Sequence, residues 1–278
     1  MESHSELSVR KFAVCTTFND NGYKQYGRRM IETFITNWPT EVDLYVYAED
    51  CSVDISAPNV YIFDSHKTNS NLVSFKSKWK FIPKANGDVS NIASLCDRKD
   101  SHKSFKWDAI RFSNKVYSVV LCSKTINANA LLWMDADIVC HSRITVDDLE
   151  RLCPSTVDIA FLGRERKFSE CGLYYINLDS ELAHKFLNRF QDFYDNAEDG
   201  IFMLPEWHDS FVFDHVRHQF PLTELNWSKG LIKGEGHPLI NCEWGKYLDH
   251  LKGKRKESGK SFSKDLIITR TEQYWKSI

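Results

Sequence analysis

The sequence has no strong excess of either charge and no long hydrophobic run. Its 36 Lys and Arg residues are nearly balanced by 38 Asp and Glu residues, so the formal net charge is −2. This balance provides no global basic field of the kind that attracts nucleic acid. No segment approaches the roughly 18 apolar residues of a membrane helix, and the polar start, MESHSELSVRK, has no apolar signal core. We therefore expect a soluble, cytoplasmic protein without a membrane span (in the host cytoplasm if a phage encodes it).

Cysteine pairs with the spacing of a structural metal site are also missing. None of the eight cysteines forms a C-x-x-C motif, which argues against a structural zinc site. Several lie within apolar runs, where a free cysteine behaves as a small buried hydrophobe. The cysteines are Cys15, Cys51, Cys96, Cys122, Cys140, Cys153, Cys171 and Cys242.

Short apolar runs alternate with helical patterns along most of the chain. The predicted strands are 11–18, 42–48, 59–63, 130–134, 157–163 and 171–178, and the predicted helices are 30–38, 103–122, 144–152, 180–195 and one that begins near Asp209. This order predicts an α/β fold with a mostly parallel sheet and helices on both faces. Residues 64–101 are polar without a clear period and are expected to form long loops or a short helix. We expect a single domain over 1–278, in which 200–278 covers the site.

The segment LLWMDADIVC, residues 131–140, leads a buried-looking strand into two carboxylates. Asp135 and Asp137 repel each other, and it is costly to bury them unpaired. A divalent cation such as Mg²⁺ or Mn²⁺ would hold both, because carboxylate oxygens are its preferred ligands. The alternative is that both aspartates are solvated in a turn.

A second motif, H-x-x-G-x-x-K, lies near the C-terminus in HLKGKRK. His250 suits Mn²⁺, Lys256 can neutralise a diphosphate, and Gly253 would let the backbone approach phosphates closely. The alternative is a solvated basic loop.

A strand that ends in D-x-D, followed by a C-terminal H-x-x-G-x-x-K, resembles the GT-A-fold, metal-dependent glycosyltransferases, in particular the glycogenin and lipopolysaccharide galactosyltransferase group. The resemblance implies a Rossmann-like GT-A fold, Mn²⁺ or Mg²⁺, and a nucleotide-sugar donor that is UDP-linked by preference. It also implies that Asp135, Asp137 and His250 bind the metal and that Lys256 contacts the diphosphate, with Lys252 or Lys254 nearby.

The same resemblance nominates two catalytic carboxylates. SECGLYYINL, residues 169–178, is similar to the segment that shapes the sugar and acceptor pocket, which nominates Glu170 and Gly172. EWHDSFVFDHV, residues 206–216, lies where the family has a carboxylate at a helix start. Asp209 could be the base of an inverting enzyme or the group beneath the anomeric carbon in a retaining one. Its alternative role is that of a helix N-cap.

Polar residues after the first two strands and on helix 103–122 complete the expected donor site. Glu49 or Asp50 could accept a hydrogen bond from uracil or ribose. Arg111 and Lys115, one helical turn apart, could face the phosphates or be solvated helix charges, and solvation is favoured for Lys115. The first-strand residues expected to meet the nucleotide are Thr16, Thr17 and Asn19.

The acceptor is open at this point. Residues 64–117 carry eleven Lys and Arg against five Asp, interleaved with aromatic residues, a mixture that suits a nucleic-acid backbone. Hydroxymethylated bases in DNA, as in phage-type modifying enzymes, are therefore slightly favoured as acceptor. A surface glycan or lipid-linked acceptor is one alternative, and a non-catalytic nucleic-acid-binding module is another. A nucleotidyltransferase is disfavoured because no glycine-rich phosphate loop follows the first strand.

Overall fold

Strands and helices alternate along the chain in a computed structural model that describes residues 10–90, 104–231 and 236–277. Seven strands form one sheet with the order β3-β2-β1-β4-β7-β6-β8, and β5 pairs with β9 in a small second sheet. The strands are β1 Phe12–Asn19, β2 Asp43–Glu49, β3 Val60–Asp64, β4 Ala130–Met134, β5 Ile138–Cys140, β6 Ile159–Arg164, β7 Lys167–Asn177, β8 Glu224–Asn226 and β9 Leu248–His250.

The helices connect the strands and pack on the large sheet. A π-helical turn, Tyr23–Gly27, joins the first two of them. The helices are α1 Asp20–Gly22, α2 Arg28–Asn37, α3 Ser65–Thr68, α4 Ser70–Trp79, α5 Ala109–Thr125, α6 Val146–Leu152, α7 Glu181–Asp195, α8 Asp209–Arg217, α9 Pro238–Asn241 and α10 Arg255–Ser258.

The large sheet is mostly parallel, as the sequence predicts. β1 pairs in parallel with β2 and β4, β2 with β3, and β6 with β8. β7 is the exception, because it runs antiparallel to both β4 and β6. The carboxyl ends of β1, β2 and β4 therefore meet at one edge of the sheet, where α/β folds bind their ligands.

Helices cover both faces of the sheet. β1 shows this directly, because Phe12 and Val14 belong to the core that also contains residues of α2 and α6. Ala13 and Cys15 belong to the opposite core, with residues of α4, α5, α7 and α8. A strand that is buried on both sides needs apolar residues at consecutive positions, which explains the continuous run FAVC. The predicted α/β class with two covered faces is confirmed.

The structure decides one open prediction and corrects another. The polar stretch 64–101, expected to form long loops or a short helix, contains the ten-residue helix α4, whose Leu72 and Phe75 are buried although most of its other residues are polar. The helix predicted to start at 103 begins at Ala109, because the Asp108 side chain caps it by accepting a hydrogen bond from a backbone amide. The start of the chain, residues 91–103 and Cys96 lie outside the described residues.

The seven described cysteines are free thiols, and six of them are buried, as expected for small hydrophobes. Within the described ranges, no helix is both long enough and apolar enough to cross a membrane.

Candidate active site

A tight connection between β4 and β5 presents the D-x-D aspartates at the edge of the large sheet. β4 ends at Met134, and all five of its residues are buried. The Ile138 amide donates a hydrogen bond to the Asp135 carbonyl (2.9 Å), and the Asp135 amide donates to the Gly172 carbonyl (2.7 Å). These bonds fix Asp135 and Asp137 directly after a buried strand.

The small second sheet brings His250 to the same place. β5 runs antiparallel to β9, and Ile138 lies opposite His250. The Leu251 amide donates to the Asp137 carbonyl at 2.8 Å. Asp137 and His250 are 113 positions apart in the sequence, so this contact depends entirely on the tertiary fold.

Asp135, Asp137 and His250 direct three possible metal-ligand atoms toward one another. Nε2 of His250 lies 3.0 Å from Oδ1 of Asp137 and 4.0 Å from Oδ2 of Asp135. One ligand atom from each of the three residues lies within 4.8 Å of the others. Two carboxylate oxygens and one imidazole nitrogen form a donor set that suits Mn²⁺, so these residues fit the metal that the resemblance implies.

The second oxygen of each aspartate is held by another group. Oδ1 of Asp135 accepts from the Trp133 indole at 2.7 Å and lies 2.8 Å from the Lys115 ammonium. Oδ2 of Asp137 lies 3.0 Å from the Lys256 ammonium. These contacts orient the carboxylates and leave one oxygen of each facing His250, an arrangement typical of outer-shell support for metal ligands.

Gly172 on β7 makes room for the His250 ring. A Cβ atom at Gly172 would lie 2.5 Å from Cε1 and 2.8 Å from Nδ1 of His250. Since both atoms belong to a buried ring, no side chain larger than hydrogen fits here without displacing the imidazole. The role of Gly172 is therefore to permit the position of His250.

The charges around His250 and Asp137 outweigh the effect of burial on both groups. Burial alone would raise the pKa of the Asp137 carboxyl, but His250 and Lys256 hold this pKa far below its usual range. Burial alone would lower the pKa of the His250 imidazole, but Asp137 raises it. Asp137 and His250 therefore each favour the charged form of the other. A divalent cation would bind the neutral form of His250, because a metal-bound histidine is neutral.

Lys115 corrects the sequence-based interpretation, which favoured a solvated helix charge. Its side chain is buried, and its ammonium lies 2.6 Å from Asp209 and 2.8 Å from Asp135. It also donates to the Cys171 carbonyl at 2.7 Å. Burial opposes the charge on Lys115, but the two carboxylates outweigh burial and raise its pKa. Lys115 is thus a fixed cation between the D-x-D motif and Asp209.

Asp209 is the first residue of α8, but it is not the helix N-cap. His208 has this role, because its side chain accepts from the Phe211 amide. The Asp209 carboxylate is buried, and burial alone would raise its pKa, but Lys115 lowers it. Asp209 is therefore held in its ionised form beside Lys115.

A cavity of about 180 Å³ connects these groups with most of the predicted donor residues. Asp135, Asp137, Lys115 and Asp209 contribute to its wall. The predicted donor residues that line it are Thr17, Asn19, Glu49, Arg111 and Lys256. The carboxyl ends of β1, β2 and β4 thus meet at one polar cavity.

Several predicted site residues do not line the cavity, among them Thr16, Glu170, Lys252 and Gly253. Thr16 is fully buried in β1 and does not line the cavity, because successive side chains of a strand point to opposite faces. Glu170 is buried on β7, with the Lys252 ammonium 3.1 Å from its carboxylate. Gly253 has φ = 64°, a left-handed conformation that favours glycine, and a Cβ there would meet no atom within 4 Å.

Sequence reasoning missed three residues of this region. Tyr26 lines the cavity, and the Lys256 ammonium lies 4.3 Å from its ring centroid. Asn114 lines the cavity three positions after Arg111, a helical spacing that could have indicated it. His237 packs edge-on against His250, with ring centroids 4.9 Å apart, and no sequence motif marks it.

Most of the described lysines of the basic region 64–117 are paired with carboxylates. Five of them in the described part of this region form ion pairs, which reduces the positive field available to a polyanion. The pairs are Lys67 with Asp64, Lys76 with Glu49, Lys78 with Glu198, Lys106 with Glu206, and Lys115 with Asp135 and Asp209.

No family model and no curated protein matches this sequence. Several solved structures are similar to it. For WbbM, a bifunctional glycosyltransferase, the TM-score is 0.46 at 10% identity over 80% of this chain and 39% of WbbM. For the galactosyltransferase LgtC in complex with donor and acceptor sugar analogues, the TM-score is 0.43 at 10% identity over 77% of this chain and 73% of LgtC. For the glycosyltransferase GlyE of Streptococcus pneumoniae TIGR4, the TM-score is 0.41 at 8% identity over 78% of this chain and 45% of GlyE. This chain thus spans less than half the length of WbbM and GlyE. Because all three TM-scores are below 0.5, the similarity carries no argument about the activity of this chain.

Proposed function

We propose that this protein is a metal-dependent glycosyltransferase that moves a sugar from a nucleotide-diphosphate sugar, UDP-linked by preference, to a hydroxyl acceptor. The observation that carries the proposal is the convergence of Asp135, Asp137 and His250 within 4.8 Å, beside a polar cavity at the carboxyl edge of the sheet. A divalent cation held there would stabilise the negative charge of a leaving nucleoside diphosphate.

Two cations of the chain itself support the same chemistry. The Lys256 ammonium, 3.0 Å from Asp137, and the buried Lys115 line the cavity on which the aspartates open. Fixed positive groups lower the barrier where negative charge grows, and they need no reorganisation during the reaction. We assign Lys256 to the diphosphate and Lys115 to the positioning of Asp135 and Asp209.

Asp209 is best suited to the sugar side of the bond that breaks. Its pKa is lowered by Lys115, so the carboxylate is ionised and a weak proton acceptor at neutral pH. A negative charge at this position would stabilise the positive charge that develops on the sugar. We therefore assign Asp209 to the stabilisation of the sugar, and Thr17, Asn19 and Glu49 to the nucleoside.

Residues 200–278 complete the site in this proposal. They supply Asp209 from α8, His250 from β9 and Lys256 from α10, whereas the D-x-D motif, Lys115 and the residues assigned to the nucleoside come from earlier in the chain. We propose that it forms the acceptor side and the loop that closes over the donor.

A turnover assay with a panel of nucleotide sugars tests the proposal. We expect release of the nucleoside diphosphate with Mn²⁺ and none after EDTA treatment. Asp137→Asn should abolish this release while the protein stays folded, because the substitution removes charge and hardly changes volume. Asp199→Asn is the matched control, since Asp199 is exposed and does not line the cavity. Activity that survives in Asp137→Asn would contradict the proposal.

The acceptor is tested separately. Hydroxymethylated DNA, bound through residues 64–117, stays a prediction, and the ion pairs of this region weaken it relative to a glycan or lipid-linked acceptor. A gel shift at low and moderate salt, paired with transfer to duplex DNA that contains 5-hydroxymethylcytosine, decides the question. Salt-sensitive binding together with transfer supports DNA. Absence of both assigns the acceptor to the glycan class, and binding without any turnover supports a nucleic-acid-binding module.

A further inference from the structure

A second cluster of metal-ligating side chains lies next to the candidate active site and shares His250 with it. Glu170, His237 and His250 each contribute one ligand atom, and these atoms lie within 4.8 Å of one another. All three residues are nearly inaccessible to solvent, with relative exposures of 4%, 6% and 1%. The proposed transfer reaction assigns no role to His237.

Three nitrogens in this cluster have no hydrogen-bond partner among the described residues. They are both ring nitrogens of His237 and Nδ1 of His250. Buried polar atoms in native proteins are almost always satisfied by protein, water or a bound ion. A bound ion or water would satisfy these unpaired nitrogens, which lie on two rings in contact beside a carboxylate.

One of the two cations beside Glu170 could be exchanged for a metal ion. A carboxylate, unlike an imidazole, needs positive charge or donors, and Glu170 obtains them from Lys252 at 3.1 Å and Arg164 at 3.4 Å. The Lys252 side chain is 56% exposed, so its ammonium can move into solvent when another cation arrives. Lys252 therefore neutralises the Glu170 carboxylate, a role that a bound metal ion would take over.

The chemistry of the ligands selects the metal. Two imidazoles and one carboxylate bind Zn²⁺ well, whereas Mn²⁺ prefers sites richer in oxygen.

We propose that Glu170, His237 and His250 form a second metal site, selective for Zn²⁺ over Mn²⁺. Because His250 is common to this site and to the Asp135 and Asp137 cluster, zinc at the second site competes with the first site for His250. If the proposed transferase function holds, zinc bound here antagonises Mn²⁺-dependent transfer, and the site is then inhibitory.

Metal binding tests the site without any assay of activity. Equilibrium dialysis with Zn²⁺, and titration with Co²⁺ followed by visible absorption, are carried out on wild-type protein and on His237→Gln. We expect His237→Gln to weaken Zn²⁺ by more than about 10-fold, since even outer-shell partners are worth about 10- to 100-fold. The absorption of four-coordinate Co²⁺ should be lost, and Mn²⁺ binding should be unchanged.

Two further variants separate the sites. Asp135→Asn should keep the His237-dependent zinc site while it weakens Mn²⁺. His141→Gln is the matched control, because His141 is another histidine with an unpartnered ring nitrogen, but it belongs to neither cluster. Wild-type zinc affinity in His237→Gln, or zinc binding that depends on Asp135 and not on His237, would overturn the proposal and leave a buried water in the cluster.

Inhibition of transfer is the second readout. Zinc should inhibit the Mn²⁺-dependent reaction of the wild-type protein, and His237→Gln should relieve this inhibition. Inhibition of equal strength in His237→Gln would mean that zinc acts at the Asp135 and Asp137 cluster instead. If the proposed transferase function fails, no transfer is seen with any metal, whereas the dialysis and absorption results still decide whether the zinc site exists.

Discussion

The ammonium of Lys115 lies 2.6 Å from the carboxylate of Asp209, and both groups are buried. The same ammonium lies 2.8 Å from Asp135, so it links the proposed metal ligand with the proposed sugar-stabilising carboxylate. When one partner of a buried ion pair is removed, an uncompensated charge remains, and this is more costly than the absence of the whole pair. Lys115 is therefore expected to contribute to stability as well as to the site.

Lys115→Met should lower the free energy of unfolding by about 3–5 kcal/mol, because it leaves two carboxylates without their cation. Urea denaturation measures this change. Lys185→Met is the control, since Lys185 forms an exposed ion pair with Glu181 on α7 and its loss should cost less than about 1 kcal/mol. Equal effects of the two substitutions would contradict the assigned role of Lys115.

Gly172→Ala should displace the His250 imidazole and weaken Mn²⁺ binding. The added methyl group would lie 2.5 Å from the ring, closer than any real contact of this type. A double-mutant cycle with His250→Ala tests the mechanism by thermal unfolding. Removal of the ring should make Gly172→Ala less destabilising, whereas strictly additive effects would mean that the methyl group clashes with something else.

Asp209→Asn should reduce turnover by more than about 100-fold while UDP affinity stays unchanged, because the carboxylate is assigned to charge that develops only in the transition state. Steady-state kinetics and calorimetry on the same preparation separate the two effects. A variant that loses UDP affinity instead would place Asp209 in the donor-binding part of the site.

Lys256→Met should weaken UDP binding by about 10-fold, equivalent to about 1.4 kcal/mol, because it removes a cation from the assigned diphosphate position. Lys264→Met is the matched control, since Lys264 is exposed and does not line the cavity. Calorimetry with Mn²⁺ present measures both affinities. Unchanged affinity in Lys256→Met would remove Lys256 from the donor site.

The stability of the protein should fall as the pH is lowered from 7 to 5, and His141 should contribute to this. Burial lowers the pKa of His141 to about 4, below its value of about 6.5 in the unfolded chain. Protonation therefore favours the unfolded state, and the loss starts below pH 6.5 and continues to about pH 4. At pH 5, this effect of His141 should lower the free energy of unfolding by about 2 kcal/mol. His141→Gln should show a smaller pH dependence in urea denaturation, and an unchanged one would assign the effect to other groups.

The sequence predicts much of the fold, because local patterns carry that information. The continuous apolar run of β1 predicts a strand that is buried on both faces, and the D-x-D after β4 predicts a polar edge where the parallel strands end. The structure has both features. The antiparallel direction of β7 leaves no local trace, since a buried strand has the same composition in either direction. Helix α4 was left open against a loop, because most of its residues are polar and only two of them are buried.

The candidate site is predictable only where a motif marks it. Asp135, Asp137 and His250 belong to short motifs, and the structure brings them together, although their role as metal ligands stays a prediction. Lys115 looks like a surface charge in the sequence, because its partner Asp209 is 94 positions away. His237 has no motif at all, and its position beside Glu170 and His250 follows only from tertiary packing.

Calorimetric titration of UDP, with and without Mn²⁺, tests the central claim most directly. Wild-type protein and the Asp199→Asn control should bind UDP only when Mn²⁺ is present. Asp137→Asn should not bind UDP under either condition, although it stays folded. UDP binding by EDTA-treated wild-type protein with the affinity of the Mn²⁺-loaded protein would contradict the claim that Asp135, Asp137 and His250 hold a metal for the nucleotide.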